Sequence, residues 1–164
     1  MLYIFQNDIS MDNFLIIRPA ELIDADSIIE FNAAMGKETE DTQLNMDVLK
    51  CGVRSVLTDE NMGIYFVAEM DGKIVGQLMI TYEWSDWRCR FFWWIQSVYV
   101  LPEYRQQGVF KNLYQHVYDL AHSDKSVCGL RLYVDRNNER AKKSYENLGI
   151  SQSHYEMFEV ELKK

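Results

Sequence analysis

The stretch Val98-Tyr99-Val100-Leu101-Pro102-Glu103-Tyr104-Arg105-Gln106-Gln107-Gly108-Val109-Phe110-Lys111-Asn112-Leu113 decides how this chain of 164 residues is read. A β-branched and aromatic run stops at Leu101-Pro102. A polar turn follows, with Arg105 at its end and Gly108 three residues later, and then an amphipathic pattern begins. Strand, polar turn with a glycine, helix: that order aims several free backbone N–H groups at one point. Such a point takes an anion, most often a phosphate. The Walker loop, Gly-x-x-x-x-Gly-Lys-Ser/Thr, is absent, and so is the Gly-x-Gly-x-x-Gly dinucleotide fingerprint. What remains is Arg105-x-x-Gly108-x-Phe110, which taken alone is equally well a tight β-α turn.

Working outward, Phe91–Leu101 reads as a long strand whose near-continuous hydrophobicity implies burial on both faces. A helix is predicted from about Gln107 to His122, with Val109, Leu113, Val117 and Leu120 inward. A strand over Gly129–Val134 follows, then a helix over Asn138–Leu148 ended by Gly149. Phe158, Val160 and Leu162 alternate with Glu159, Glu161 and Lys163, the pattern of a final half-buried strand. Upstream, Asp71-Gly72 between Ile64–Met70 and Lys73–Thr81 is the residue pair of a type I′ hairpin turn. Tyr82–Arg90 reads as a polar and aromatic connection. Phe14–Arg18, ended by Pro19, is the first strand. Leu22–Met35 has helical spacing, with Gly36 as its end and Glu38, Glu40 and Asp41 as an acidic loop after it. Leu44, Val48, Cys51 and Ser55 mark a second helix. The order β-α-α-β-β-β-α-β-α-β predicts an α/β fold with a mixed sheet and helices on both faces. One domain over 14–164 is expected, after an N-terminal extension, Met1–Asn13.

Composition is that of a globular chain: 48% hydrophobic and 26% charged. The net charge of −8, with no Lys/Arg cluster, argues against nucleic acid and suits cationic partners such as amines or basic peptides. Cys51, Cys89 and Cys128 form no Cys-x-x-Cys pair, and their odd number argues against a disulfide framework. They read as small buried hydrophobes in a reducing compartment. His116, His122 and His154 lack metal-ligand spacing, so no metal is expected. No apolar run approaches the roughly 18 residues of a membrane span. Met1–Asn13 has no basic region and no long apolar core, unlike a signal peptide. A cytoplasmic protein without membrane contact is the expectation.

A second motif follows one strand after the first: Asn138-x-x-Ala141-x-x-x-Tyr145-x-x-x-Gly149. The two together resemble the GNAT superfamily of acetyl-coenzyme A-dependent N-acetyltransferases. That family carries Arg/Gln-x-x-Gly-x-Gly/Ala between its fourth strand and third helix, and Asn, Ala, Tyr and Gly-Phe on its fourth helix. The resemblance covers the chain from Phe14 onward. It implies acetyl-coenzyme A as co-substrate and an amine as acceptor. Arg105, Gln106, Gln107, Gly108, Val109, Phe110 and Lys111 would then wrap the coenzyme A pyrophosphate with backbone N–H groups, with Lys111 adding a charge. Val98, Tyr99 and Val100 would pair with the pantetheine arm, and an N–H near Val98 would polarise the thioester carbonyl. Asn138 would bond the arm from the other side. Tyr145 would be the general acid, since a phenol of pKa about 10 is protonated at neutral pH. Two positions depart from the pattern. Phe110 replaces a small residue, so its side chain must turn away from the phosphates, and Gly149-Ile150 replaces Gly-Phe.

The acceptor side is read from charge and aromatic content. Glu83 is the candidate base, Glu38 and Glu40 could hold a cationic amine, and Trp84 and Trp87 could form an aromatic wall against it. No cysteine stands in a Cys/His arrangement, which favours direct attack over a covalent relay. A small-molecule amine is slightly favoured. A protein or peptide amine, and a catalytically silent acyl-coenzyme A-binding module, are the alternatives. Homodimers are common in that family, and nothing in the sequence selects an interface.

Overall fold

The structure, a computed structural model, describes residues 14–162. The expected extension Met1–Asn13 and Lys163 lie outside the described residues. The described residues divide into two compact units, one up to Leu132 and one from Tyr133 onward.

The first unit is built on a five-stranded sheet in sequence order: β1 (Leu15–Pro19), β2 (Ile64–Met70), β3 (Lys73–Ser85), β4 (Arg90–Val100) and β5 (Val127–Leu132). Pairing is antiparallel from β1 to β4 and parallel between β4 and β5. The mixed sheet expected from the element order is therefore present. Its helices are α1 (Ala25–Glu40), α2 (Met46–Thr58) and α3 (Val109–Ser123). Side-chain alternation assigns the faces. Val67 and Tyr65 of β2 pack with Ile28 and Ile29 of α1 and Val53 of α2. Phe66, one residue on and hence on the other face, meets His116 of α3 with ring centroids 5.3 Å apart.

The hairpin turn follows its residues. Asp71 and Gly72 both have positive φ, 52° and 76°, as the twist-matched type I′ turn requires. Gly36 does not end α1. The helix runs on to Glu40 and stops at Asp41 (φ 48°), whose N–H bonds the Gly36 carbonyl. A glycine inside a helix costs only about 1 kcal/mol, and a Cβ at Gly36 would stand 3.2 Å from Leu44. Gly36 thus admits the chain that folds back toward α2. Glu38 and Glu40 accordingly lie in the last turn of α1 and not in a loop. The expected connection Tyr82–Arg90 is mostly strand as well. β3 and β4 remain paired as far as Ser85↔Arg90, leaving a turn at residues 86–89. Aromatic residues on facing strands support such a ladder by packing across it. Cys51 and Cys89 are exposed and Cys128 is half-buried, all three as free thiols, so the buried reading fails for the first two.

The second unit carries α4 (Glu139–Asn147). Asn138 caps it, its side chain accepting from the Ala141 N–H at 3.0 Å. Gly149 (φ 78°) closes it, with the Ile150 N–H bonded to the Tyr145 carbonyl. The final strand is not formed: residues 151–162 carry no strand, and Phe158 is 89% exposed. Alternation gives a strand only if a neighbour takes its backbone groups, and residues 133–162 contain no second strand to pair with.

Gly63 (φ 150°) stands where an added Cβ would lie 2.4 Å from the Ile80 carbonyl oxygen. Gly63→Ala is expected to destabilise the protein by about 3 kcal/mol, read as a lowered denaturant midpoint at unchanged slope.

Candidate functional site

β4 has two neighbours for only half its length. Its ladder with β5 runs from Phe91↔Val127 to Ile95↔Leu132 and stops, while β3 stays beside it through Met79↔Gln96, Gln77↔Tyr99 and Gly76↔Val100. From Gln96 onward, β4 has a ladder partner on one edge only among the described residues. In this half the register breaks: Ser97 and Val98 together oppose Leu78, and Ser97 takes φ 50°. Two residues against one is a β-bulge, which bends a strand and re-aims its groups.

The chain then makes a 3-10 turn at Pro102–Tyr104 and passes through Arg105 into α3. Gln106 (φ 65°) and Gly108 (φ 82°) are both left-handed. No side chain caps α3, and its first i→i−4 bond is the Asn112 N–H to the Gly108 carbonyl. The N–H groups of Val109, Phe110 and Lys111 precede that bond and point out of the helix end, which carries the positive pole of its dipole. A Cβ at Gly108 would meet nothing nearer than Asn112 at 3.6 Å. The glycine is therefore required by its φ and not by crowding. Phe110 lies along α3 over Tyr114, with ring centroids 6.4 Å apart.

Arg105 faces elsewhere than the turn's N–H groups. Its Nε donates to the Val100 carbonyl at 2.8 Å, its Nη2 meets Glu38 Oε2 at 2.8 Å, and its guanidinium lies over the Tyr99 ring. Tyr99 completes the group by donating its hydroxyl to Glu38 Oε1 at 2.7 Å. Burial, then Glu38, pushes the Tyr99 phenol up to about 12. The Tyr99 and Arg105 bonds hold the Glu38 carboxyl below its ordinary range. Glu38 thus ties the end of α1 to the end of β4. Of the other turn residues, Gln106, Gln107 and Lys111 are exposed, and Gln107 donates to the Glu103 carbonyl at 2.7 Å.

Glu83 is similarly engaged. Arg131 Nη1 approaches its two oxygens at 2.7 and 2.9 Å, and the Trp94 indole N–H donates to Oε2. The Arg131 guanidinium also lies 3.7 Å from the Phe92 ring centroid. Trp84 follows Glu83 on β3 and so faces the other side of the sheet, where its ring meets Phe91 at 4.9 Å. Glu83 and Trp84 do not converge on one face. Trp87 stands in the hairpin turn, 87% exposed. In the second unit, Asn138 is the cap described above and Tyr145 is half-buried on α4, its phenol raised by burial.

Sequence reading missed a buried polar cluster under the bulge: Asn32 of α1, Tyr65 of β2 and Gln77 of β3. The signal was visible in Ile74-Val75-Gly76-Gln77-Leu78-Met79-Ile80, where one amide interrupts an apolar strand. Among the described residues, no group of three or more His, Cys, Asp or Glu could hold a metal, and no helix is long and apolar enough to cross a membrane.

The sequence profile of the acetyltransferase (GNAT) family matches residues 27–150. The chain belongs to that family. The crystal structure of a possible acetyltransferase from Clostridium difficile 630 is 45% identical, with TM-score 0.87 over 92% of this chain and 99% of that one. The thialysine N-epsilon-acetyltransferase of cattle (Bos taurus) is 36% identical over 76 residues, which is 46% of this chain and only 44% of that protein. An aminoglycoside N-acetyltransferase in complex with CoA shares the fold, with TM-score 0.73 at 18% identity, covering 93% of this chain and 98% of its own.

Glu38 has a lowered folded pKa, so its stabilisation is complete above the unfolded value of about 4.3 and is lost as pH falls through the folded value. Its side chain is 40% exposed, so solvent screens the pair. Glu38→Gln is expected to lower the thermal midpoint at pH 7 by about 1–3 °C. The gap should begin to shrink as pH falls below about 4.3, and variant and wild type should converge only below the folded value. A gap that persists in acid would show that the Glu38 charge is not its source.

Proposed function

We propose that the protein transfers the acetyl group of acetyl-CoA to a primary amine by direct attack in a ternary complex, with a small molecule as the acceptor. The observation that carries this reading is the open half of β4 leading directly into the uncapped N-terminus of α3. An extended amide-bearing arm can add to a free strand edge, and a pyrophosphate suits a helix N-terminus. The residues fit such a ligand. Left-handed Gln106 and Gly108 turn the backbone, and Phe110 lies over Tyr114, which supports the small-residue position being filled by Phe without blocking phosphates. Arg105 fits as the brace of the turn, with backbone N–H groups and Lys111 left to the phosphates.

Acetyl-CoA supplies an activated carbonyl. The amine nitrogen bonds to that carbon, the C–S bond breaks, the nitrogen loses a proton and the departing thiolate gains one. In our reading the Val98 N–H donates to the carbonyl oxygen as charge grows on it. Tyr145, whose raised pKa keeps its phenol protonated, gives the sulfur its proton. Asn138, with its oxygen used in capping α4, offers its Nδ2 donors to the arm. Glu83 already accepts from Arg131 and the Trp94 indole, and taking up the amine's proton would weaken its ion pair with Arg131. We therefore assign that proton to solvent and give Glu83 the role of holding Arg131. Glu38 acts through Arg105 and Tyr99, which leaves Glu40, Trp84 and Trp87 as the proposed acceptor contacts. A curated relative named for thialysine makes lysine-like amines the first to try.

A panel of amines that includes thialysine, lysine and basic peptides, read by release of free thiol, tests the proposal. Turnover with a small amine is expected. Turnover with peptides alone would move the acceptor to the protein class, and tight coenzyme binding with no turnover across the panel would make this a silent binding module. Tyr145→Phe should lower kcat by about 10²-fold with coenzyme affinity unchanged. Gly108→Glu should weaken coenzyme binding by at least about tenfold, through the strain of a side chain at φ 82° and a like charge beside the phosphates.

A further inference from the structure

Three features that each cost free energy coincide beneath the β4 bulge. Ser97 holds a left-handed φ of 50°, which a residue with a Cβ adopts at a penalty. The β3–β4 register is broken there. Gln77, fully buried at 0% exposure, has an amide oxygen with no hydrogen-bond partner. An unpaired buried acceptor carries an uncompensated desolvation cost. The orphan oxygen does not by itself account for Gln77.

What Gln77 holds does account for it. Its Nε2 donates to Asn32 Oδ1 at 2.8 Å and to the Ser97 carbonyl at 3.2 Å. Asn32 is itself fixed, donating through Nδ2 to the Tyr65 hydroxyl at 3.1 Å. The Tyr65 phenol, raised by burial, also hydrogen-bonds the Ser97 side chain. Ser97 is thus gripped at its carbonyl by β3 and at its side chain by β2. The Ser97 carbonyl and the Val98 N–H belong to one peptide unit, which is trans, as no cis peptide is present among the described residues. In a trans peptide the C=O and N–H point in opposite directions across one rigid plane. An oxygen held by the Gln77 side chain fixes that plane, and with it the direction of the Val98 N–H, on the stretch of β4 that β5 leaves without a ladder.

We infer that Gln77, braced by Asn32 and Tyr65, is a positioning residue that aims the Val98 N–H at the thioester carbonyl of the acyl donor. The inference rests on the acetyl-CoA reading above. Gln77 touches no substrate, and its effect passes through the peptide plane of Ser97–Val98. Removing its grip lets that plane rotate, and the N–H loses its aim while the pyrophosphate turn and the rest of the edge remain.

The test needs no acceptor. Acetyl-CoA isotope-labelled at the thioester carbonyl is bound to the wild-type protein and to Gln77→Met, which keeps the volume and removes both donors. The carbonyl stretch is read by difference infrared spectroscopy, and affinity by calorimetry. In the wild type the stretch should fall relative to free acetyl-CoA, as a hydrogen bond to the oxygen weakens the C=O bond. In Gln77→Met at least about half of that shift should be lost, with affinity within about threefold. With any acceptor that turns over, kcat should fall about tenfold or more while the KM for acetyl-CoA moves little. Should Gln77→Met not fold, Tyr65→Phe removes one oxygen from the same brace and should show a smaller loss in the same direction. An equal shift in wild type and folded variant, or no shift in a wild type that binds acetyl-CoA, overturns the inference and leaves the coenzyme reading standing. Failure of the wild type to bind acetyl-CoA overturns that reading and the inference with it.

Discussion

The rest of the site depends on where β4 loses its second neighbour. Up to Ile95 the strand is paired on both sides, and its backbone groups are spent on the sheet. Beyond it, one edge has no ladder partner among the described residues, and exposed backbone donors and acceptors must find other company. In most proteins such an edge is a liability. Here it runs straight into a helix end that no side chain caps, so a strand edge and a helix N-terminus follow one another along one continuous segment, Gln96–Lys111.

Side chains around this segment brace its backbone. Arg105 grips the Val100 carbonyl and, through Glu38, the end of α1. Gln77 grips the Ser97 carbonyl from inside the sheet. Phe110 lies over Tyr114 along its own helix. This division of labour suits a ligand with repeated amides and phosphates, because a backbone donor held rigidly needs no reorganisation when charge develops near it. Charged residues that look catalytic are engaged with other side chains, Glu38 with Arg105 and Glu83 with Arg131.

Much of the architecture was legible from pattern. The Asp71-Gly72 hairpin, the strand after Arg90 and the glycine that starts α3 are local signals whose physics acts within a few residues, although that strand is mostly half-buried and not buried on both faces. The misreadings have a common cause. Gly36 reads as a stop because glycine often ends helices, yet tertiary contact with Leu44 uses it inside one. Tyr82–Arg90 reads as a connection, yet cross-strand aromatic pairs carry the ladder through most of it. The alternation after Phe158 has the period of a strand, but period alone provides no partner for a strand's backbone.

By itself, the sequence determined the family, the element order of the sheet-bearing unit and the two motifs, because each is written in residue type and spacing along the chain. Only the tertiary structure decided what the charged and polar side chains do. Glu38 and Arg105 are 67 residues apart, Gln77 and Asn32 are 45 apart, and Arg131 and Glu83 are 48 apart. No spacing rule connects residues that distant. Their pairing depends on which strand lies beside which and where a ladder ends, and that is settled only when the sheet is assembled.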